Sequence, residues 1–163
     1  MMEKVIEKLE QYNILNNLIP GTIFTLLLKY YVGVNIIQNN AIENLIIYYF
    51  VGSIISRIGS LCIEPIYRGL KIIEKRDYEQ YINARKKDSF IETLSEDNNM
   101  YRTLCSTFIT IIIAKVIKLC ILKYDIPIEI TKAILMVIIV IIYTLAYRKQ
   151  TNYIVKRIDK SNK

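Results

Sequence analysis

Long apolar runs alternate with crowded charges along this chain. Four runs stand out, at 18–37, 41–64, 101–124 and 128–147. The stretch 133–142 holds only Ala, Ile, Leu, Met and Val, and 44–55 is nearly as bare of polar residues. A helix in a soluble bundle keeps a polar side facing water. These runs lack one, and each approaches the roughly 20 helical residues that cross a bilayer core of about 30 Å. A soluble bundle of this size hides one such helix, not three or four. The pattern therefore predicts an all-α integral membrane bundle with four transmembrane helices, placing lipid around its outside.

The polar stretches divide the chain. An opening segment rich in Glu and Lys, with Val5, Ile6 and Leu9 on one side, reads as a short surface helix without a secretory cleavage pattern. Pro20 and Gly21 sit where the first span would begin, as Pro is tolerated in a first helical turn. Gln38-Asn39-Asn40 forms the first turn, and Pro65 closes the second span. The layout becomes a surface helix with a first hairpin (1–64), a central helical insertion (65–100), a second hairpin (101–147) and a basic tail (148–163). Within the insertion a helix is expected over 66–84, with another short one starting near Ser89 or Ser95. The polar residues 95–98 then cap the third span.

Charge sets the orientation. The 38–40 turn has no Lys or Arg, while Arg68, Lys71, Lys75, Arg76, Arg85, Lys86 and Lys87 crowd the insertion. The tail adds Arg148, Lys149, Lys156, Arg157, Lys160 and Lys163. The excess of basic residues in cytoplasmic loops places insertion and tail inside, and both termini with them. An even number of spans demands the same. The expected location is a bacterial cytoplasmic membrane.

Composition narrows the chemistry. Across 163 residues, 22 Lys and Arg against 15 Asp and Glu give a net charge of +7, which suits an anionic partner. Histidine is absent, removing imidazole acid–base catalysis and His-ligated zinc. Cys62, Cys105 and Cys120 lack metal-ligand spacing and read as small buried residues. No phosphate-binding Gly loop or nucleophile elbow occurs. The expectation is a protein that is not an enzyme and uses no cofactor or metal.

Three constellations are candidates for function. Ser53, Arg57, Ser60 and Glu64 share one face of the second span, with Gly52, Ser56 and Gly59 beside them. Ionisable residues inside a span usually turn inward and find a partner. Arg57 and Glu64 would pair with each other or with a neighbouring subunit, unless Arg57 snorkels to the headgroups. Thr103, Thr107, Thr110 and Lys118 stripe the third span, and such a face either lines water or packs against another helix. Lys71, Lys75, Tyr78 and Arg85 fall on one face of the expected insertion helix, bordered by Arg76, Lys86 and Lys87. Basic groups interleaved with rings grip phosphates and stack bases, though a polybasic segment beside a span also commonly lies on acidic lipid.

Several stretches carry a resemblance: 17–24 (Asn-Leu-Ile-Pro-Gly-Thr-Ile-Phe), 54–60 (Ile-Ile-Ser-Arg-Ile-Gly-Ser) with Glu64-Pro65, 86–88 (Lys-Lys-Asp) and 98–102 (Asn-Asn-Met-Tyr-Arg). With these the chain resembles the small membrane effectors encoded in bacterial antiviral operons, the channel effectors of the Hailong defence system among them. The resemblance implies an oligomeric channel, with a tetramer among the candidate assemblies. It also implies restraint by an oligodeoxyadenylate that a companion nucleotidyltransferase makes. Two other classes remain open on the residues alone: a non-conducting membrane scaffold that recruits a cytoplasmic partner, and a small transporter subunit.

Overall fold

The computed structural model describes the backbone of Met2–Ser161 and the side chains of 14–159. The chain is all-helical, with 85% of it in helices and no strand among the described residues. Helix α1 (Met2–Leu27) ends in a π-helical turn, Leu28–Val32. Helix α2 (Ala41–Ile58) runs through a second π-helical turn, Gly59–Ile63, into α3 (Glu64–Gly69). Then come α4 (Tyr78–Lys87), α5 (Phe90–Lys123) and α6 (Ile128–Ser161).

Among the described residues three helices are long and apolar enough to cross a membrane: Ala41–Gly69, Phe90–Lys123 and Ile128–Asp159. The expected first span, 18–37, is not among them. Its helix is diluted by Asn16, Asn17, Thr22, Thr25 and Lys29. Pro20 does not open a helix there but lies inside α1, which continues through it. A proline removes one backbone hydrogen bond, and packing against neighbouring helices compensates.

The packing inverts that of a water-soluble bundle. Most fully buried positions are small or hydroxylated: Thr25, Thr103, Ser106 and Thr107 are all 0% exposed, beside Ile55 and Pro20. The outward surface is Ile, Leu, Val and Phe, as at Phe108, Ile112, Val116, Ile134 and Ile141. Helices associating in lipid gain little by burying Leu, which lipid already covers. They gain by close backbone approach and interhelical hydrogen bonds, which select Gly, Ser and Thr. This distribution supports residence in a membrane independently of span length.

Local chemistry explains the element ends. Asn40 caps α2 by accepting from the Ile42 N–H at 2.9 Å, and the Asn44 amide bonds both the N–H and the carbonyl of Gln38. Gly33, at φ 75°, ends the π turn of α1 and donates its N–H to Leu28 O. In α2 the Glu64 N–H reaches back five residues to Gly59 O. That wider turn immediately precedes Pro65, whose ring would crowd the carbonyl four residues earlier in a regular α-helix.

The insertion differs from expectation. Instead of one helix over 66–84, α3 stops at Gly69, Lys71 takes a positive φ of 58°, and helix resumes only at Tyr78. The short helix expected near Ser89 forms, but it does not stop: α5 runs unbroken from Phe90 into the third span. Without Gly or Pro between 90 and 123, nothing ends it, and Ser95 does not act as a cap. The basic tail, as far as Ser161, is likewise a helical extension of α6. The cysteines are exposed on the chain, not buried as expected. A lipid-facing exterior accepts the small apolar residues that a soluble protein would hide.

Candidate functional site at the basic end of the bundle

Glu64 organises the end of the bundle that carries the insertion. It is 7% exposed, where the π turn hands over to α3. Lys75 Nζ donates to its Oε1 at 2.6 Å, and Arg102 of α5 donates to its Oε2 at 2.9 Å. Lys149 of α6 lies within electrostatic reach of Glu64, Lys75, Arg102 and Arg57, and its ammonium donates to the Ser60 carbonyl at 2.6 Å. One carboxylate thus joins the end of α2, the 70–77 turn and α5, with α6 drawn in beside them.

The expected Arg57–Glu64 pair does not form, because Glu64 is taken by Lys75 and Arg102. The π turn adds a residue to its helical turn and so rotates Glu64 relative to Arg57. Among the described residues Arg57 makes no ion pair. Ser60 Oγ donates to the Arg57 carbonyl at 3.1 Å, and Ser53 Oγ accepts from the Tyr143 hydroxyl at 3.2 Å. Ser53 and Ser60 therefore meet α6, through Tyr143 and Lys149.

The threonine stripe of α5 resolves toward packing inside the chain. Thr103 and Thr107 are fully buried, and their hydroxyls donate to the carbonyls of Asn99 and Thr103. The Thr110 hydroxyl is buried and has no hydrogen-bond partner. Lys118 has a distinct role: its ammonium donates to Val32 O at 2.8 Å and Gly33 O at 3.0 Å, while Lys115 donates to Tyr31 O at 2.9 Å. The exposed carbonyls at a helix C-terminus carry partial negative charge, and two lysines from α5 satisfy those of α1.

Lys71, Lys75, Tyr78 and Arg85 do not share one helical face bordered by Arg76, Lys86 and Lys87, because the helix that would align them breaks at 70–77. Lys75 turns to Glu64, and Arg76 makes an exposed 3.7 Å pair with Glu74. Lys71 lies in the turn, and Lys87 is exposed in the last turn of α4. Tyr78 packs on Tyr153 of α6, ring centroids 5.3 Å apart. Arg85 pairs with Glu92. Arg85 and Lys86, with Ile82 and Arg157, line an open groove of about 230 Å³ between α4 and the extension of α6. With Arg85 already paired to Glu92, Lys86 and Arg157 are the cations of this groove that suit a phosphate-bearing ligand.

Sequence reasoning did not single out Arg102, Lys149, Tyr153 or Arg157 as site residues. Each sits in a basic or aromatic setting, but the partner lies on another helix, 38 positions away for Arg102 and Glu64. Comparisons with protein-family models, curated proteins and solved structures returned no match.

Proposed function

We propose that this chain is the protomer of an oligomeric channel in the bacterial cytoplasmic membrane, an effector of antiphage defence. It crosses the bilayer four times, with α1 as the additional crossing, and is gated or restrained by an anionic nucleotide or oligonucleotide. Three features support α1 as a span. It packs antiparallel to α2, its end is fastened to α5 by Lys115 and Lys118, and its stretch 18–28 is apolar apart from Thr22 and Thr25.

The observation that carries the gating part is the groove of Arg85, Lys86 and Arg157. It bridges the insertion and the extension of the last span, so a phosphate-bearing ligand there would favour one relative position of α4 and α6. Tyr78–Tyr153 and Lys75–Glu64 connect that position to the spans. A ligand with different affinity for two arrangements shifts the balance between them. The resemblance noted in the sequence points to oligodeoxyadenylate as the ligand. The pore belongs between copies of the chain, because Thr103 and Thr107 are used up in packing within one.

The test is dye and ion leak from liposomes holding the purified protein, with and without oligodeoxyadenylate. A leak that the ligand alters is the expected result; no leak in either condition overturns the channel. Those same buried hydroxyls favour a second reading, a non-conducting scaffold that recruits a cytoplasmic partner. In that case replacing Arg57 and Glu64 by Leu leaves activity intact in any variant that folds.

A further inference from the structure

We infer that the Glu64 junction binds the phosphate of an acidic phospholipid from the leaflet at the basic end of the bundle. The inference rests on membrane residence alone and is separate from conduction and from the α4–α6 groove.

Charge at the junction does not balance. Among the described residues Lys75, Arg102 and Lys149 surround a single carboxylate, with Arg57 within electrostatic reach of Lys149. Both oxygens of Glu64 are occupied, one by Lys75 and one by Arg102. Excess positive charge beside apolar spans is costly unless an anion meets it. The Arg102 guanidinium is only partly satisfied, its buried Nε having no hydrogen-bond partner, while the side chain keeps 20% of its surface exposed. A partly exposed guanidinium beside an ammonium matches a phosphate in shape and charge.

The surroundings favour a lipid over a soluble anion. The 70–77 turn, whose Lys75 holds Glu64, exposes Leu70 at 65%, Ile72 at 62% and Ile73 at 38%. Ile66, two residues after Glu64, is 53% exposed. Apolar residues alternating with Lys71, Lys75 and Arg76 make a turn suited to lie at the level where acyl chains meet headgroups. The phosphate would enter among Arg57, Arg102 and Lys149, with the acyl chains over Ile66, Leu70 and Ile72.

The experiment is lipid retention by the purified full chain, read by native mass spectrometry with melting temperature alongside. The probes are phosphatidylglycerol, phosphatidylcholine and inorganic phosphate. Phosphatidylglycerol should be retained and raise the melting temperature; the other two should do neither. Arg57→Gln and Lys149→Gln should each weaken retention roughly tenfold, the worth of one charge-assisted hydrogen bond. Lys86→Gln with Arg157→Gln, in the groove, should leave it unchanged. Glu64→Gln, in protein that elutes as the unmodified chain does, should retain the lipid at least as strongly, because it removes the competing negative charge. Equal retention of the two lipids overturns the inference. So does inorganic phosphate matching phosphatidylglycerol, or the groove pair abolishing retention while the junction variants keep it.

Discussion

Gly21 and Gly52 meet backbone to backbone where α1 crosses α2: a Cβ built on Gly21 would stand 2.8 Å from the Gly52 nitrogen and 1.8 Å from the Tyr48 carbonyl oxygen. On the other side, a Cβ on Gly52 would stand 1.7 Å from the Asn17 oxygen. The crossing tolerates no side chain at either position. Gly21→Val or Gly52→Val should force the helices apart, costing about 1–3 kcal/mol or more and lowering the detergent melting temperature. Gly69→Ala, with nothing within 4 Å of its Cβ, is the control and should be neutral or slightly stabilising.

Glu64 and Arg102 should be energetically coupled. Glu64→Ala leaves Arg102 and Lys75 without their carboxylate. Lys75 is nearly half exposed, so the loss falls below that of a fully buried pair, at roughly 1–3 kcal/mol. A double-mutant cycle between Glu64→Ala and Arg102→Ala should give a coupling of about 1 kcal/mol or more. Strict additivity would show that the pair contributes nothing.

Lys118 should stabilise the end of α1. Lys118→Met keeps the apolar stem and removes the ammonium, leaving the Val32 and Gly33 carbonyls without this donor. The expected loss is about 1–2 kcal/mol, with faster hydrogen exchange confined to 28–34. Lys29→Met, which removes only an exposed contact with the Tyr30 ring, should change stability by less than about 0.5 kcal/mol.

Lys86→Gln and Arg157→Gln should each weaken binding of oligodeoxyadenylate about tenfold, since each removes a charge-assisted contact to phosphate. Binding to the unmodified chain should weaken steeply as salt rises. Fluorescence anisotropy with a labelled oligomer measures both effects. Unchanged affinity in both variants would place the ligand away from the groove.

The two ends of α2 should lie on opposite sides of the membrane. Single cysteines at Asn39 and Glu74, in a variant lacking the three native cysteines, should react with an impermeant maleimide from opposite faces of oriented vesicles. Both positions are exposed. Reaction of both from the same face would remove α2 as a span.

Much of the architecture was legible in the residues because a bilayer imposes a one-dimensional rule. A helix that crosses lipid must be long and apolar whatever it touches, and this marked 41–64, 101–124 and 128–147, which fall on the three long apolar helices, whereas 18–37 is not among them. The lack of Gly and Pro from 90 to 123 accounts for the continuity of α5, where a separate short helix and a cap at 95–98 were expected. The helix break at 70–77 was less visible, because Gly69 lies among residues that also suit a helix.

Only the tertiary structure decided where the charges go. One extra residue in the π turn rotated Glu64 out of line with Arg57 and aimed it at Arg102 and Lys75. Lys118 became a cap for a different helix, and the threonine stripe became packing material. Partition into lipid depends on each helix's own composition, so sequence determined it. The partner of an ion depends on how helices meet, and backbone contact at Gly21 and Gly52 sets that geometry between segments far apart in the chain.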